Sequence, residues 1–312
     1  MEIGKSGRAW QTNAMDHFAA RPLNERFASE IAGLDTRAPL GAATLAALAD
    51  EFHRRHVLVI RSPVLSPREY VGFIRQFGEP DGSDTSRYHE PVDVDGFKGL
   101  RLVSNIEEGG RNKGQFGADE MGWHQDRWTD AAPPPATALH GVEVTKCGGR
   151  TGIASLCDAY DAMPDELRAR VEGRSIHFPL RVNDFEGELD EADIADESLF
   201  RVVPLVQRHA VTGRKYLFLG ARRILAYIDT APRITGLSKA DSAELLDAIY
   251  EHVARPEFAY LHQWRAGDIL LWDNRCCVHR REAFDPAERR LLYGTPLVTS
   301  ELLWNGQPAL AA

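Results

Sequence analysis

Residues 265–274 have the sequence RAGDILLWDN, which predicts a turn, then an apolar strand that ends in two polar residues. Runs of the same kind recur from about residue 100 onwards, with turn-forming residues between them. The candidate strands are Leu100–Asn105, Thr137–Val144, Thr151–Leu156, Arg201–Val206, Lys215–Leu219, Phe258–Gln263, Asp268–Trp272 and Arg290–Val298. Short strands at such spacing are typical of a β-sandwich or barrel and disfavour a doubly wound sheet. We therefore expect a mostly β fold with flanking helices.

Helical patterns flank and interrupt these strands. A capping box at Ser66–Glu69 predicts a helix start, and apolar residues then line one face until Gly78 ends the pattern. Further helices are predicted for Thr44–Arg54, Pro164–Val171 and Ser238–Val253. The stretch Asn183–Ser198 is dominated by Asp and Glu. We interpret it as an acidic lid or solvated surface loop rather than as a metal site.

The composition excludes several classes of protein. Of the 312 residues, 43% are hydrophobic and 27% are charged, which is typical of a globular chain and not of a disordered one. The net charge of -9 disfavours nonspecific nucleic-acid binding, because that binding needs Lys and Arg to neutralise phosphates. The sequence has no apolar run long enough to predict a membrane span. Of its four cysteines, Cys276 and Cys277 are adjacent, a pattern that favours reduced thiols and a cytoplasmic location.

One histidine stands beside a carboxylate in a pattern suited to metal binding. In Trp123-His124-Gln125-Asp126, a strand would place His124 and Asp126 on the same face, since residues i and i+2 share a face. Two such groups form part of a 2-His-1-carboxylate triad, which leaves open positions on Fe(II). With eleven histidines in the chain, one such pair is also expected by chance. The pair alone is therefore a weak indication.

A second histidine and an unusual arginine follow the RAGDILLWDN stretch. His279 lies shortly after it, and eleven residues further Arg290 enters the apolar run Leu291-Leu292-Tyr293. A buried guanidinium without a partner is costly, so Arg290 needs an anion. A ligand carboxylate gripped by the planar guanidinium would satisfy it. A salt bridge to an internal Asp or Glu would satisfy it equally.

Three separated motifs together resemble the TauD/TfdA family of Fe(II)/2-oxoglutarate dioxygenases. They are Trp123–Asp126, Cys147–Thr151, and Trp272–Asn274 followed by His279 and Arg289–Arg290. The resemblance covers nearly the whole chain, so it implies a single domain over residues 1–312. The fold it implies is a double-stranded β-helix, a jelly-roll, cupin-like core with helices packed outside.

The resemblance also implies the catalytic residues and cofactors. His124, Asp126 and His279 would bind Fe(II), while Thr151 and Arg290 would bind the cosubstrate 2-oxoglutarate. O2 would take the remaining position on the iron. Because family members are commonly oligomers, we expect a homo-oligomer whose partner is a small-molecule substrate and neither nucleic acid nor a membrane.

The chain departs from the family pattern at one position. Taurine dioxygenase has a second arginine four residues after the first, where it holds the anionic group of the substrate, whereas this chain has Gly294. Taurine is therefore not expected to be the substrate. Arg127 and His89 are candidate substrate-binding residues, although Arg127 could equally be a surface residue in a salt bridge and the alignment of the loop around His89 is loose.

The expected reaction is hydroxylation of a small organic molecule, with release of succinate and CO2. Desaturation or ring closure in a biosynthetic pathway is the alternative within the same family. Two other classes stay open, namely a non-catalytic β-barrel binding protein and a zinc hydrolase that uses the same three ligands. The presence of Arg290 disfavours the hydrolase, since hydrolysis needs no arginine matched to a dicarboxylate.

Overall fold

The computed structural model describes residues 11–12, 18–86, 89–180, 199–224 and 230–304. The acidic stretch 183–198 lies outside the described residues, so its interpretation as a lid or surface loop stays a prediction. The described helices are α1 Ala42–Arg55, α2 Pro67–Arg75, α3 Leu156–Asp161, α4 Asp165–Val171, α5 Lys239–Val253 and α6 Glu301–Trp304.

The described strands are numerous and short. They are β1 Gln11–Thr12, β2 Ala19–Pro22, β3 Ser29–Ala32, β4 Val57–Ile60, β5 Glu79–Pro80, β6 Arg101–Ser104, β7 Glu107–Glu108, β8 Arg111–Asn112, β9 Gln115–Phe116, β10 Met121–His124, β11 Ala136–Glu143, β12 Thr151–Ser155, β13 Ser175–Pro179, β14 Phe200–Pro204, β15 Val206–Arg208, β16 Lys215–Leu217, β17 Arg233–Ile234, β18 Ala259–His262, β19 Ile269–Asp273, β20 Cys277–Arg281 and β21 Leu291–Thr299.

Ten of these strands form one large sheet. Their order is β1-β2-β3-β4-β19-β11-β21-β6-β9, and β5 pairs with β21. The pairs are antiparallel except for β3–β4 and β6–β9. Strand β19 comes from the RAGDILLWDN stretch and is buried along its whole length between β4 and β11. Its continuous apolar run is therefore that of a strand covered on both faces.

A smaller antiparallel sheet has the order β10-β20-β12-β18. Its register places His124 opposite His279 and Thr151 opposite Arg281. The two sheets enclose a cleft to which both contribute lining residues. This mostly β arrangement confirms the predicted fold class, and it fits the jelly-roll core.

Two buried apolar clusters hold the helices against the sheets. Phe52 of α1 and Phe73 of α2 share one cluster with Ile269 of the large sheet. Leu245 of α5 shares the other with Trp272, the largest fully buried side chain among the described residues. Each fully buried Leu, Ile or Phe contributes roughly 1.5–3 kcal/mol, so the helices are fixed mainly by these apolar faces.

The helix starts follow their sequence signals. Ser66 caps α2 by accepting a hydrogen bond from the Glu69 amide, while the Glu69 side chain accepts one from the Ser66 amide. Both predicted later helices are present as α4 and α5. No described helix combines the length and the apolar character that crossing a membrane requires.

Candidate active site

A cleft of about 100 Å³ lies between the two sheets and is partly open to solvent. Among the described residues that line it, Asp126 is the one acid, whereas four are arginines: Arg101, Arg280, Arg281 and Arg290. The excess of positive charge makes the cleft suited to an anionic ligand.

Three candidate metal ligands converge in this cleft. The ligand atoms of His124, Asp126 and His279 all lie within 4.8 Å of one another. The two imidazole rings have centroids 4.0 Å apart, and His279 Nε2 lies 3.7 Å from Asp126 Oδ1. The register explains this convergence, because the two histidines are direct Cα partners and Asp126 follows the end of β10.

Hydrogen bonds orient two of the three groups. His124 Nδ1 donates to the carbonyl of Gly122 at 2.8 Å, which leaves Nε2 free to bind a metal. Thr137 Oγ1 donates to Asp126 Oδ2 at 2.6 Å, so the other carboxylate oxygen faces His279. Contacts of this kind fix the tautomer and the direction of metal ligands.

The backbone around Asp126 is tied to the loop after β19. Asn274 Oδ1 accepts a hydrogen bond from the Asp126 amide at 2.7 Å. The buried Gln125 donates to the carbonyls of Asn274 and Arg275 at 3.0 and 2.9 Å. Its Oε1 accepts from the amides of Leu219 and Gly220 at 3.0 and 2.9 Å. Two distant segments are thereby held in the positions that bring the ligands together.

The three groups are in the protonation state that a metal requires. Burial and, to a smaller extent, the neighbouring His124 lower the pKa of His279 to about 3. Burial also lowers the pKa of His124. Burial opposes ionisation of Asp126, but the two histidines and the Thr137 hydrogen bond hold the pKa of its carboxyl below the ordinary value. Two neutral imidazoles and one carboxylate can bind a divalent ion without first losing protons.

Arg290 and Thr151 line the same cleft. Arg290 is 2% exposed, and its Nη2 donates to the Gly149 carbonyl at 3.4 Å. Within the described residues no carboxylate forms an ion pair with Arg290, so the internal salt bridge is not found there. Burial and then the charge of Arg281 lower the pKa of Arg290 to about 9. Thr151 Oγ1 accepts a hydrogen bond from Trp264 Nε1 at 3.0 Å.

The structure does not bring Arg127 and His89 into this cleft. Arg127 forms ion pairs with Asp81 and Asp130, at 2.6 and 2.5 Å. His89 is buried, where its Nε2 accepts a hydrogen bond from the Leu102 amide at 3.2 Å. Neither side chain is among the described residues that line the cleft, so a direct substrate contact by either residue stays a prediction without support from this geometry.

Gly294, the position that departs from the family pattern, forms part of the cleft wall. It is the Cα partner of Arg101 on β6. A Cβ placed on it would lie 3.3 Å from Leu139 Cδ2 and 3.6 Å from Arg101 Cβ. The wall here is close-packed, and its nearest cation is on the neighbouring strand.

Several residues of the candidate site carry no clear signal in the sequence. Thr137 and Arg281 have no local motif that marks them, although Arg281 is two residues after His279 and the strand period places both on one face. Gln125 lies inside the Trp123–Asp126 motif, but its partners come from remote segments. For Gln125 and Arg281, closeness in sequence to a candidate ligand was the one available signal, and Thr137 has no such signal.

Comparison with known proteins agrees with this geometry. The family model described as "Taurine catabolism dioxygenase TauD, TfdA family" matches residues 19–295. The alpha-ketoglutarate-dependent 2,4-dichlorophenoxyacetate dioxygenase of Cupriavidus pinatubonensis is 31% identical over 88% of this chain and 95% of its own. Pentalenolactone F synthase of Streptomyces arenae is 32% identical over 76% of this chain and 80% of its own.

A solved structure shows the same architecture. The crystal structure of AAD-2 in complex with Mn(II) and N-oxalylglycine has a TM-score of 0.71 against this chain, with 25% sequence identity. The superposition covers 94% of this chain and 99% of that one. The chain therefore belongs to the TauD/TfdA family, and it is an oxidoreductase that uses Fe(II), 2-oxoglutarate and O2.

Proposed function

We propose that this dioxygenase hydroxylates a small organic molecule other than taurine, with release of succinate and CO2. The observation that carries the proposal is the joint presence, in one cleft, of three converging metal ligands and a buried arginine without an acidic partner among the described residues. A binding protein without catalytic activity would need neither feature.

His124, Asp126 and His279 are the proposed iron ligands. The donor set fits Fe(II), because two imidazoles and one carboxylate on one side of the ion leave positions for other ligands. When bound, Fe(II) with 2-oxoglutarate and O2 supplies the oxidising chemistry that couples decarboxylation to hydroxylation. The chain contributes the orientation of the ligands through the Gly122 carbonyl and Thr137.

Arg290 and Thr151 are the proposed residues for 2-oxoglutarate. Arg290 has a buried, planar guanidinium, which can donate two parallel hydrogen bonds to the two oxygens of a carboxylate. Thr151 lies in the same cleft, and its hydroxyl hydrogen is free to donate because the oxygen accepts from Trp264. The cleft thereby holds a metal-binding end and a carboxylate-binding end.

Gly294 disfavours a substrate with a sulfonate group such as taurine. Without an arginine at this position, the chain has no cation four residues after Arg290 to hold a sulfonate. Leu139, Val103 and Pro296 make the neighbouring wall apolar, which suits an organic substrate with apolar surface.

The test is a screen of small organic acids and their neutral analogues, read as succinate formed per 2-oxoglutarate consumed. We expect at least one compound to stimulate succinate release in the wild type and not in Asp126→Ala. Taurine should give no stimulation over the substrate-free rate. Stimulation by taurine would contradict the argument from Gly294, and equal rates in Asp126→Ala would contradict the catalytic assignment.

We also propose that residues 1–312 act as one domain, in the cytoplasm, as a homo-oligomer. The cleft draws residues from β6 to β21, so a division of the chain between them would split the site. All four cysteines are free thiols, which suits a reducing compartment. Light scattering should give a mass of two or more times 34.8 kDa, whereas a mass of 34.8 kDa would show a monomer.

A further inference from the structure

Two buried arginines face the same cleft. Arg281 is 4% exposed and Arg290 is 2% exposed, and both line the cleft. Within the described residues, neither guanidinium has a carboxylate at ion-pair distance. Two like charges withdrawn from water need an anion nearby. The pair therefore indicates an anionic ligand that both guanidiniums contact.

The register of the small sheet places Arg281 at the proposed cosubstrate end of the cleft. Arg281 is two residues after His279 on β20, so both side chains lie on the same face. Thr151 of β12 is the direct Cα partner of Arg281. Arg281 thus lies beside Thr151, a proposed 2-oxoglutarate residue, and two residues along β20 from His279, a proposed iron ligand.

Arg281 has one donor group left for a ligand. Its Nε donates to the Asp119 carbonyl at 3.1 Å, and its Nη2 donates to the Phe116 carbonyl at 2.7 Å. Its Nη1 is buried without a hydrogen-bond partner among the described residues. Since buried donors are nearly always satisfied in folded proteins, an unsatisfied one on a side chain that lines a cleft favours a partner supplied by a bound ligand.

We propose that Arg281 is a second cation for 2-oxoglutarate, and that its Nη1 donates to the distal carboxylate which Arg290 also binds. This inference rests on the proposed assignment of Arg290 and Thr151 to the cosubstrate. Two guanidiniums at one carboxylate would make the site selective for a 2-oxo acid with a charged tail. Arg281 would also link cosubstrate binding to the loop at residues 116–119, whose carbonyls it holds.

The test compares two 2-oxo acids of equal chain length, 2-oxoglutarate and 2-oxopentanoate, of which only the first has a distal carboxylate. Binding of each to the Mn(II)-loaded enzyme is measured by calorimetry under anaerobic conditions. We expect Arg281→Gln to raise the Kd of 2-oxoglutarate about 10- to 100-fold, the loss expected for one charge-assisted hydrogen bond. The Kd of 2-oxopentanoate should not change, because it has no group for Nη1 to bind.

Arg289→Gln is the matched control, since Arg289 neighbours Arg290 but is exposed and paired with Glu143. It should leave both Kd values unchanged. If Arg281 only holds the loop, Arg281→Gln will raise the Kd of both acids equally or of neither, and either result overturns the inference. Should Arg281→Gln fail to fold, Arg281→Lys is the second variant, because it keeps the positive charge but lacks the planar guanidinium. The inference again requires a weaker affinity for 2-oxoglutarate and an unchanged affinity for 2-oxopentanoate.

The same measurements separate this inference from the proposed function. If Arg290→Gln raises the Kd of 2-oxoglutarate and Arg281→Gln does not, the inference about Arg281 fails and the proposed function stands. If Arg290→Gln has no effect, the assignment of the cosubstrate site fails, and the inference falls with it.

Discussion

His124 and His279 are direct Cα partners across β10 and β20, with ring centroids 4.0 Å apart. Pairing of two antiparallel strands therefore suffices to bring two imidazoles from remote parts of the chain to one point. Asp126 completes the group because it follows the end of β10 and its backbone is held by Asn274. The proposed metal site is thus a property of strand register, and residues that hold the register or the three side chains should affect metal binding.

Thr137 is expected to position Asp126. Thr137→Val keeps the shape of the side chain but removes the hydrogen bond to Asp126 Oδ2. We expect the Kd for Mn(II) to rise about 10- to 100-fold, as for other losses of a contact that orients a metal ligand. Calorimetric titration of the metal-free protein measures the change. Thr137→Ser should restore most of the affinity, and an unchanged Kd in Thr137→Val would show that the hydrogen bond has no such role.

Gln125 is expected to stabilise the fold rather than to take part in chemistry. Gln125→Leu would leave two buried amides and two buried carbonyls without their partner. At about 1–3 kcal/mol for each unsatisfied group, the free energy of unfolding should fall by about 3 kcal/mol or more. Urea unfolding measures it, with the exposed Gln263→Leu as control, which should change stability by less than about 0.5 kcal/mol. If Gln125→Leu also lowered the free energy of unfolding by less than about 0.5 kcal/mol, the account would be contradicted.

Arg290 is expected to act on the cosubstrate and not on the metal. Arg290→Gln should raise the KM for 2-oxoglutarate about 10- to 100-fold, because a charge-assisted interaction with its carboxylate is lost. Metal affinity should stay at the wild-type value, since Arg290 is not among the converging ligands. A normal KM, or a parallel loss of metal binding, would count against a cosubstrate role.

The metal-free protein should lose stability as the pH falls below 6.5. The folded-state pKa of His279 is about 3, against an ordinary value of 6.5, so between these values the unfolded state binds more protons than the folded state. Stability therefore decreases with falling pH in this window, by about 2 kcal/mol between pH 7 and pH 5 for this one group. Urea unfolding of the apo protein should show a shallower pH dependence in His279→Gln, and an identical slope in both proteins would refute the prediction.

The three candidate metal ligands and Arg290 could be singled out from the sequence because their signals are local. A His-x-Asp pair and an arginine that enters an apolar strand are visible without a structure. Arg281 and Gln125 were missed because their importance depends on partners from segments far apart, which local patterns do not specify. The same holds for β2 and β3, short strands whose pairing is set by tertiary contacts.

The conformation of Arg127 is a feature that its sequence position next to Asp126 does not reveal. It follows Asp126 directly, which made a substrate contact plausible from sequence. The backbone of Arg127 has a φ of 51°, a left-handed conformation, and its side chain pairs with Asp81 and Asp130. A reversal of the chain immediately after a ligand is a backbone property that residue type alone does not reveal.

The most direct test of the central claim is an anaerobic crystal structure of the enzyme loaded with Fe(II), read by the anomalous signal of iron. We expect one iron per chain, bonded to His124 Nε2, His279 Nε2 and a carboxylate oxygen of Asp126. An iron peak elsewhere, or no peak with the three side chains in their described positions, would contradict the account.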